Sequence, residues 1–577
     1  MRQTLIAFVV TAAFAGASVV AAPDRTAIDI LPQTTILYAE IPNPAGVLST
    51  ILDHPLRQKI EALESYKAAT KTGDYQKFLA GRTFLETMLG MKWREALETL
   101  TARGMYVGFD SKTQGLVLLI HAKDAASLDM LRTKLLELTR LGKDPDQVKE
   151  AEYRGVTAYE VNKAKFAVID DWLLITNKSE TGKLLLDRFI DGAEQSLANS
   201  ETFMKARASR AKDSAGWAYA DLNTLRDAGV AKKLFAGKSE NPAAELLIGG
   251  ILCTLQKTPF ATAQLATSND GIELELAIPH QPDWVTEERV YYFGHDGGGR
   301  GPSLPQIKDT LFALSTYRDV SEMWLRAGDL FDEKINDGFA EADANLTTFF
   351  SGKDFGEDIL GALTPQIGFV ASRQDFSTVL PVPAIKLPQF ALVLEMKDPT
   401  SMTRELRRTF QSLIGFLNVI GAMEGRPQLE LDMDKLPGGS ELVTSTYIPE
   451  PEDEESTSAN ILFNFSPSVG FANERFVVAS TDRLARELVT AQPAVRDANA
   501  VNTSARLTAD VLKDVLDDNK EQLISQNMLQ DGNSREEAEG VIQLLLGFVG
   551  YFEDSSLKLT TENNTLAAKL ALRIKQF

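Results

Sequence analysis

The sequence predicts an α+β fold built from two tandem copies of an antiparallel sheet covered by helices. Segments of the first half recur in the same order in the second half. Each half closes on alternating apolar and polar residues, 272–278 and 566–574, which are typical of half-buried strands. Two-residue turns within 169–172 and 268–271 favour antiparallel hairpins. We expect the helices on one side of each sheet.

Six pairs of similar segments run in one order through the two halves, and this order indicates an internal duplication. Each copy reads as a β-prone start, helical segments, two strands, a helix, further strands, a second helix, another strand, more helices and a closing two-strand unit. The paired segments are 31–39 with 304–314, 100–109 with 363–371, 118–135 with 392–410, 166–185 with 469–488, 217–222 with 506–511, and 265–278 with 559–572.

The duplication predicts four regions along the chain. Residues 1–21 form a signal peptide, 22–286 a first α+β repeat domain, 287–303 a linker rich in glycine and proline, and 304–577 a second α+β repeat domain. The second copy carries an acidic loop, 449–459, whose charged composition is typical of a solvated insertion.

The first residues have the pattern of a secretory signal peptide. Arg2 supplies a basic start, residues 5–20 are uncharged, and Val19 and Ala21 suit a cut after Ala21. No cysteine lies near this cut, which disfavours lipid attachment. We therefore expect an exported protein, periplasmic or extracellular. No later apolar run reaches the ~20 residues of a spanning helix, so we expect no transmembrane anchor.

Composition narrows the classes of partner. The chain has 577 residues, is 44% hydrophobic and contains one cysteine, so its stability comes from packed cores and not from an internal disulfide. Its formal net charge is −20. An acidic surface repels phosphate backbones and anionic lipid, so we expect no nucleic acid partner.

Several polar residues recur where a strand passes into a helix. Asp398 is followed by a proline, which is a helix-start signal, and Asp124 holds the equivalent position in the first copy. Asn177 and Ser534 each have a glutamate three residues later, as in a capping box. We interpret these residues as helix caps and not as functional groups.

Two acidic motifs resemble metal sites at first reading. Asp170 and Asp171 are adjacent, and their predicted counterparts are Glu474 and Arg475. Neighbouring strand residues point to opposite faces, so we interpret the pair as a plain hairpin turn. Residues 432–434 begin like a calcium loop but continue Lys-Leu-Pro, which fails the pattern.

The sequence predicts no catalytic, cofactor-binding or metal-binding residue, and no cofactor. None of the four histidines, His54, His121, His280 and His295, lies in H-E-x-x-H or near a second histidine at ligand spacing. No G-x-S-x-G turn is present. Cys253 lies in an apolar helix, and buried thiols are usually inert.

The stretch 290–305, VYYFGHDGGGRGPSLP, is a near miss to a phosphate-binding loop. Arg300 stands where that motif requires lysine, Gly301 replaces the hydroxyl residue, and Pro302 and Pro305 disfavour the helix that should follow. The first copy has no equivalent glycine run. We interpret the stretch as a strand-like VYYF followed by the linker between the copies.

The opening LPQTTILYAEIPNPAGVL and closing units such as LATSNDGIELELAI, together with the duplication, resemble a family of exported bacterial proteins of unknown function. Units of that family begin with Leu-Pro-x-x-Thr-type segments. The resemblance spans about Ile30 to Phe577 and implies envelope location and repetition. It implies no activity and transfers no site residue.

These observations favour a non-enzymatic binding or scaffolding protein of the envelope. The expected partner is an unknown envelope protein or a small apolar ligand. Two alternatives remain open. One is a hydrolase whose scattered residues meet in a groove between the two copies. The other is a carrier that holds an apolar ligand between sheet and helices.

Overall fold

The computed structural model describes residues 25–62, 66–67, 70–140, 148–161, 163–192, 194–235, 237–377, 381–449, 459–491 and 501–576. The predicted signal peptide, 1–21, and residues 450–458 of the predicted acidic loop lie outside the described residues.

Twenty strands are described, and they fall into two sets of ten. The first set is β1 (Thr35–Ile41), β2 (Gly104–Asp110), β3 (Gly115–His121), β4 (Lys149–Tyr153), β5 (Val156–Val161), β6 (Ala164–Ile169), β7 (Trp172–Thr176), β8 (Gly216–Asp221), β9 (Phe260–Ser268) and β10 (Gly271–Pro279). The second set is β11 (Thr310–Tyr317), β12 (Leu363–Ser372), β13 (Gln389–Met396), β14 (Leu429–Lys435), β15 (Glu441–Tyr447), β16 (Ser468–Ala472), β17 (Arg475–Ala479), β18 (Thr503–Thr508), β19 (Phe552–Glu562) and β20 (Thr565–Ile574).

Helices connect the strands at corresponding places in the two sets. Those before β10 are α1 (Ala27–Ile30), α2 (Pro44–Leu52), α3 (Pro55–Ala62), α4 (Gly73–Leu89), α5 (Trp93–Leu100), α6 (Ala125–Arg140), α7 (Ser179–Asp191), α8 (Glu201–Arg207), α9 (Leu222–Asp227) and α10 (Pro242–Leu255). The later ones are α11 (Val290–Phe293), α12 (Val320–Leu325), α13 (Ala327–Leu330), α14 (Glu333–Phe349), α15 (Pro399–Met423), α16 (Asp482–Thr490), α17 (Ala509–Asp518), α18 (Lys520–Asp531) and α19 (Arg535–Val549).

The chain folds into two compact units. Among the described residues, the first contains 25–231 together with Thr258–Ile278 and Gln576, and the second contains Lys232–Lys257 together with Pro279–Lys575. Helix α10 therefore groups with the second unit, although the sequence predicts it within the first repeat domain.

All strand pairs within each unit are antiparallel. The first ten strands form a sheet in the order β4-β5-β6-β7-β3-β2-β1-β8-β9-β10. The second ten form a sheet in the order β14-β15-β16-β17-β13-β12-β11-β18-β19-β20. Each strand of the second sheet thus takes the place of the strand ten numbers earlier in the first.

The two sheets also share a local irregularity. The register of β1 with β2 shifts between Thr35 and Leu37, and the register of β11 with β12 shifts between Thr310 and Phe312. Such bulges change the local twist of a strand and re-aim its side chains. The common strand order and the common bulge confirm the predicted α+β fold with two tandem copies of an antiparallel sheet covered by helices.

The helices lie on both faces of the first sheet, so the expectation of helices on one side is wrong. On one face, Val117 and Leu119 of β3 belong to a core that includes Leu185 and Phe189 of α7. On the other face, a second core contains Leu136 of α6 together with strand residues of β5 and β6. Because adjacent strand residues point to opposite faces, strands with two apolar faces require cover on both.

The second sheet repeats this arrangement. Val477 and Ala479 of β17 share a core with Leu484 and Leu488 of α16. The opposite face of the sheet carries a core that includes Phe410 of α15.

Three of the four predicted caps are in place. The Asp398 carboxylate accepts the Thr400 N–H at 3.0 Å, and the Asp124 carboxylate accepts the Ser127 N–H at 2.7 Å. Ser534 forms a capping box at the start of α19. Asn177 is not a cap, because α7 begins two residues later and the Asn177 side chain accepts the Leu116 N–H at 2.9 Å.

The stretch VYYF is a helix, α11, and the expectation of a strand is wrong. Its Tyr291, Tyr292 and Phe293 side chains are buried. They pack beside Gly249 and Gly250 of α10, where an added Cβ atom would overlap the Tyr291 hydroxyl at Gly249 and the Tyr292 and Phe293 rings at Gly250. This packing against a neighbouring helix decides the local structure of a β-prone run.

No helix in the described ranges has both the length and the apolar character needed to cross a bilayer.

Candidate functional site

The first sheet has a face that its helices leave partly uncovered. Along β3 the residues are apolar on both faces, as expected for a strand that is packed on both sides. Leu119 is 0% exposed, whereas Leu116, on the other face, is 50% exposed. A leucine with half its surface in water within a central strand is unusual, because the driving force of folding is the removal of such surface from water.

Register places five apolar residues together on this face. Leu37 of β1 pairs with Phe109 of β2, which pairs with Leu116 of β3. Val107 of β2 pairs with Leu118 of β3. Directly paired residues point to the same face of a sheet, so the five side chains form one surface. We call Leu37, Val107, Phe109, Leu116 and Leu118 the first open face.

The second sheet carries the same surface at equivalent positions. Phe312 of β11 pairs with Ala371 of β12, which pairs with Phe390 of β13, and Phe369 pairs with Leu392. Phe390 is 45% exposed, while its neighbour Ala391, on the opposite face, is 0% exposed. We call Phe312, Phe369, Ala371, Phe390 and Leu392 the second open face.

Helix α15 covers only part of the second sheet on this side. Leu394 of β13 packs against the core formed by α15, in which Phe410 and Ile414 are buried. Leu392 lies two residues earlier on the same strand and the same face, yet it is exposed. The second open face therefore begins where the helix stops covering the sheet.

The chemistry of both open faces is uniform. None of their ten residues is ionisable, and none carries a polar side-chain atom. The strands beneath them are hydrogen-bonded on both sides: β2 lies between β1 and β3, and β12 lies between β11 and β13. A ligand on these faces would contact apolar side chains and would find no unpaired strand edge.

No family model matches the chain. No curated protein matches it either. Three solved structures of TP0453 are similar over part of the chain. Crystal form III shows 10% sequence identity and a TM-score of 0.23, covering 44% of this chain and 78% of that chain. Crystal form IV shows 12% sequence identity and a TM-score of 0.24, covering 44% of this chain and 79% of that chain. Crystal form I shows 10% sequence identity and a TM-score of 0.23, with the same two coverages.

A buried polar cluster lies in the second unit, around Glu245 of α10. Glu245 is 0% exposed and Arg289 is 1% exposed. The Arg289 guanidinium donates to both carboxylate oxygens of Glu245, at 2.8 and 3.1 Å, and also to the Gly237 carbonyl. The Tyr291 hydroxyl donates to the Glu245 carbonyl at 2.7 Å, and burial raises the pKa of Tyr291. The donors and acceptors of this cluster are paired with one another, so we interpret the cluster as one that stabilises the fold.

Arg318 extends the same buried region. Its guanidinium lies 3.5 Å from the ring centroid of Tyr292 and donates to the Asn502 side chain at 2.9 Å and to the Leu246 carbonyl at 2.6 Å. Burial lowers the pKa of Arg318. Sequence reasoning missed Glu245, Arg289 and Arg318, since nothing in their local sequence distinguishes them from surface charges.

The first unit has a smaller buried cluster. The Tyr38 hydroxyl donates to the Glu40 carboxylate at 2.5 Å, and Arg207 donates to the same carboxylate at 3.2 Å. Arg210 also forms an ion pair with Glu40. Burial, followed by the Glu40 charge, raises the pKa of Tyr38 well above its ordinary value.

The adjacent acids lie in a turn, as predicted. Asp170 and Asp171 connect β6 to β7, where Ile169 pairs with Trp172. The Asp171 carboxylate accepts from the Arg103 guanidinium at 2.7 Å. The predicted match of Asp170 and Asp171 with Glu474 and Arg475 is wrong by one position. Asp171 corresponds to Glu474, because Glu474 is the second turn residue in the other sheet.

The four histidines do not come together. His121 stacks on Trp172 with ring centroids 4.0 Å apart. His280 is buried, lies 3.0 Å from the Thr254 hydroxyl through Nδ1, and has a pKa lowered by burial. His54 lies 3.0 Å from the Asn269 carbonyl, and His295 is exposed. Within the described residues, no group of three or more His, Cys, Asp or Glu side chains is arranged to hold a metal ion.

Cys253 is buried within α10. Its thiol donates to the Trp284 carbonyl at 3.2 Å. The contact is typical of a thiol packed in a core.

The glycine-rich stretch lines a small, open pocket in the second unit together with Val501, Asn502 and residues 560–562. Four of its backbone N–H groups are already engaged by the protein. Gly297 donates to the Gly294 carbonyl, Gly298 to the Asp296 side chain, Gly299 to the Phe293 carbonyl and Gly301 to the Val501 carbonyl. A phosphate cradle needs such N–H groups to be free, so this stretch is not built as one.

Proposed function

We propose that this protein is a non-enzymatic binding protein that holds an extended apolar ligand, such as a fatty acyl chain, on each open face. The observation that carries the proposal is the recurrence of the same exposed apolar surface at equivalent positions of two sheets. Leu116 and Phe390, which share no side-chain similarity beyond being apolar, are exposed at matching points of β3 and β13.

An apolar chain fits these faces better than an extended peptide does. A peptide binds a sheet chiefly by adding a strand to a free edge. The open faces lie on central strands that are paired on both sides, such as β2 and β12. A peptide laid across them would bury its polar backbone without partners, which costs free energy. An alkyl chain has no such groups.

The expected affinity is modest. Burying one methylene contributes about 0.8 kcal/mol, so about eight buried methylenes contribute about 6 kcal/mol. Association also costs translational and rotational freedom, so this free energy sets an upper limit on the affinity, a dissociation constant no lower than about 10 µM.

The first test is the stoichiometry of a linear fluorescent fatty acid, cis-parinaric acid, on the purified protein. We expect two binding sites. Leu116→Glu and Phe390→Glu should each remove one site, because a carboxylate within either open face repels the acyl chain and resists desolvation. The double variant should bind no probe.

Phe416→Glu is the matched control for Phe390→Glu. Phe416 is an exposed phenylalanine of α15, and the buried residues of that helix, such as Phe410 and Ile414, are those that face the sheet. The control should keep both sites. Circular dichroism should show that every variant is folded. Binding that is unchanged in the folded Leu116→Glu/Phe390→Glu protein would contradict the proposal.

A further inference from the structure

The second sheet ends in β14, a strand with one unpaired edge. Strand β14 pairs with β15 on one side, and no other described strand pairs with it. Successive residues of such a strand turn their backbone N–H and C=O groups alternately toward the neighbouring strand and away from it. The groups that turn away are a template on which another strand can add.

Hydrogen bonds around β14 show which residues turn these groups outward. The Asn418 side chain of α15 donates to the Leu429 carbonyl at 2.8 Å and accepts the Leu429 N–H at 2.7 Å. Just after β14, the Leu436 N–H donates to the Ser440 carbonyl on the β15 side. The odd-numbered residues of β14 therefore turn their backbone groups outward, and the even-numbered residues turn theirs toward β15.

The next two outward positions are Leu431 and Met433. Among the described residues, no hydrogen-bond partner lies beside the outward backbone groups of Leu431. The Met433 N–H donates to the carboxylate of Asp432 at 2.8 Å. A side-chain amide has the donor and the acceptor of a peptide group, so Asn418 already pairs with Leu429 as an added strand would, and the edge beyond it is open.

The two faces of β14 differ in chemistry. Leu431 and Met433 lie on the same face as Leu429, which packs in the core formed by α15, yet they are 38% and 49% exposed. The opposite face carries Glu430 and Asp432, which form no ion pair within the part of the chain that the structure describes. The open edge therefore has an apolar face and an acidic face.

We infer that the free edge of β14 binds an extended peptide segment in which basic and apolar residues alternate. The segment adds as a further strand through the outward backbone groups of Leu431 and Met433. Its apolar side chains cover those two residues, and its basic side chains face Glu430 and Asp432 on the other side of the sheet. A basic side chain that pairs with Asp432 also draws its carboxylate away from the Met433 N–H, so a basic partner opens the edge.

A second copy of this chain does not fit the edge. An antiparallel pair of two β14 strands would place Glu430, Asp432 and Asp434 of one copy beside the same three residues of the other, and like charges at such positions are destabilising. The formal net charge of −20 on each copy adds to this repulsion. Charge complementarity therefore favours a basic segment of another protein.

The test measures the binding of fluorescein-labelled synthetic peptides to the purified protein by fluorescence anisotropy. The probe peptide consists of lysine and valine in strict alternation. One control peptide has the same composition, with all lysines before all valines, and a second is the alternating peptide with a methyl group on every backbone nitrogen. We expect the probe to bind at least about tenfold more tightly than either control, because only the probe offers backbone donors with its cations on one face.

Two variants test the position of the site. Leu431→Pro removes an outward N–H and no hydrogen bond of the sheet, since proline is accepted at such edge positions. Glu430→Lys reverses one charge of the acidic face. Each should weaken binding of the probe by at least about fivefold. Glu150→Lys is the matched control, because Glu150 is an exposed glutamate of β4, the edge strand of the first sheet, and this variant should bind the probe as the parent protein does.

Circular dichroism should show that all three variants are folded. Equal affinities for the probe and the methylated peptide, an equal loss of binding in Glu150→Lys, or no binding to the folded parent protein would each overturn the inference. A dimer in sedimentation that Leu431→Pro dissociates would also overturn it, because a second copy would then occupy the edge. The fatty acyl ligand is tested separately, since the open faces lie on other strands.

Discussion

At the scale of single residues, the most consequential contact is the ion pair between Glu245 and Arg289. Both side chains are buried, and the Arg289 guanidinium donates to both carboxylate oxygens of Glu245. Removing water from two charges is costly, and the pair offsets that cost only while both partners are present. The contact therefore stabilises the packing of α10 against the segment just before α11 only while both charged side chains are present.

Arg289→Met should destabilise the protein by about 3–5 kcal/mol, because it leaves the Glu245 carboxylate buried without its cation. Glu245→Leu/Arg289→Met should recover most of that loss, since it removes both charges together. Urea unfolding followed by circular dichroism measures both effects. Equal losses in the single and double variants would show that packing, and not charge pairing, dominates.

His280 should make stability depend on pH. Burial lowers its pKa below the ordinary value of 6.5, so the unfolded chain takes up a proton before the folded protein does. Stability is then full above about pH 6.5 and falls as the pH drops toward the lower pKa of the folded state. In His280→Gln, the change in melting temperature between about pH 7.5 and about pH 5.5 should be smaller than in the parent protein. An unchanged pH dependence would contradict this.

At the scale of elements, α11 shows how tertiary packing overrides local preference. The residues VYYF favour a strand by composition, yet they form a helix turn whose rings fill the space left by Gly249 and Gly250. The two glycines of α10 allow this approach because they lack a Cβ atom.

Gly250→Ala should therefore destabilise the protein by about 1–3 kcal/mol, because the added methyl overlaps the Tyr292 and Phe293 rings. Gly415→Ala is the matched control. Gly415 also lies inside a helix, α15, and has no atom within 4 Å of an added Cβ. It should raise stability by about 0.5–1 kcal/mol through the helix preference of alanine. Thermal unfolding of the two variants gives the comparison, and a stabilised Gly250→Ala protein would refute the packing argument.

At the scale of the whole molecule, the sequence predicts the duplication because similar segments follow the same order in both halves, even though few of their residues are identical. Segments 118–135 and 392–410, for example, have similarly spaced apolar residues where a strand is followed by a helix. The helices on both faces were not expected, although the uninterrupted apolar runs at 116–120 and 390–394 are a signal for them. The sequence does not predict the open faces, since the exposure of a strand residue depends on how much of the sheet is covered by a helix distant in sequence.

Net charge should influence binding of the proposed ligand. The protein has a formal charge of −20, which repels a fatty acid carboxylate. Raising the salt concentration from about 10 mM to about 150 mM shortens the Debye length from about 30 Å to about 8 Å. The affinity for cis-parinaric acid should then rise by about twofold, while a neutral alcohol with the same chain should bind equally at both concentrations. A weaker affinity for the acid at high salt would contradict this view.

The strand order has a consequence for the speed of folding. The first strand of each repeat joins distant parts of the chain, since Leu37 of β1 pairs with Ala220 of β8 and Phe312 of β11 pairs with Leu507 of β18. Neither sheet can complete its strand pairing until nearly its whole repeat has been synthesised. Contacts between residues so far apart in sequence also form slowly. The helices between the strands form from local contacts, so we expect them to precede the sheets. During that interval the apolar strands that later form the open faces are exposed on both sides, so we expect a newly made chain to be prone to aggregation until its last strands have been synthesised.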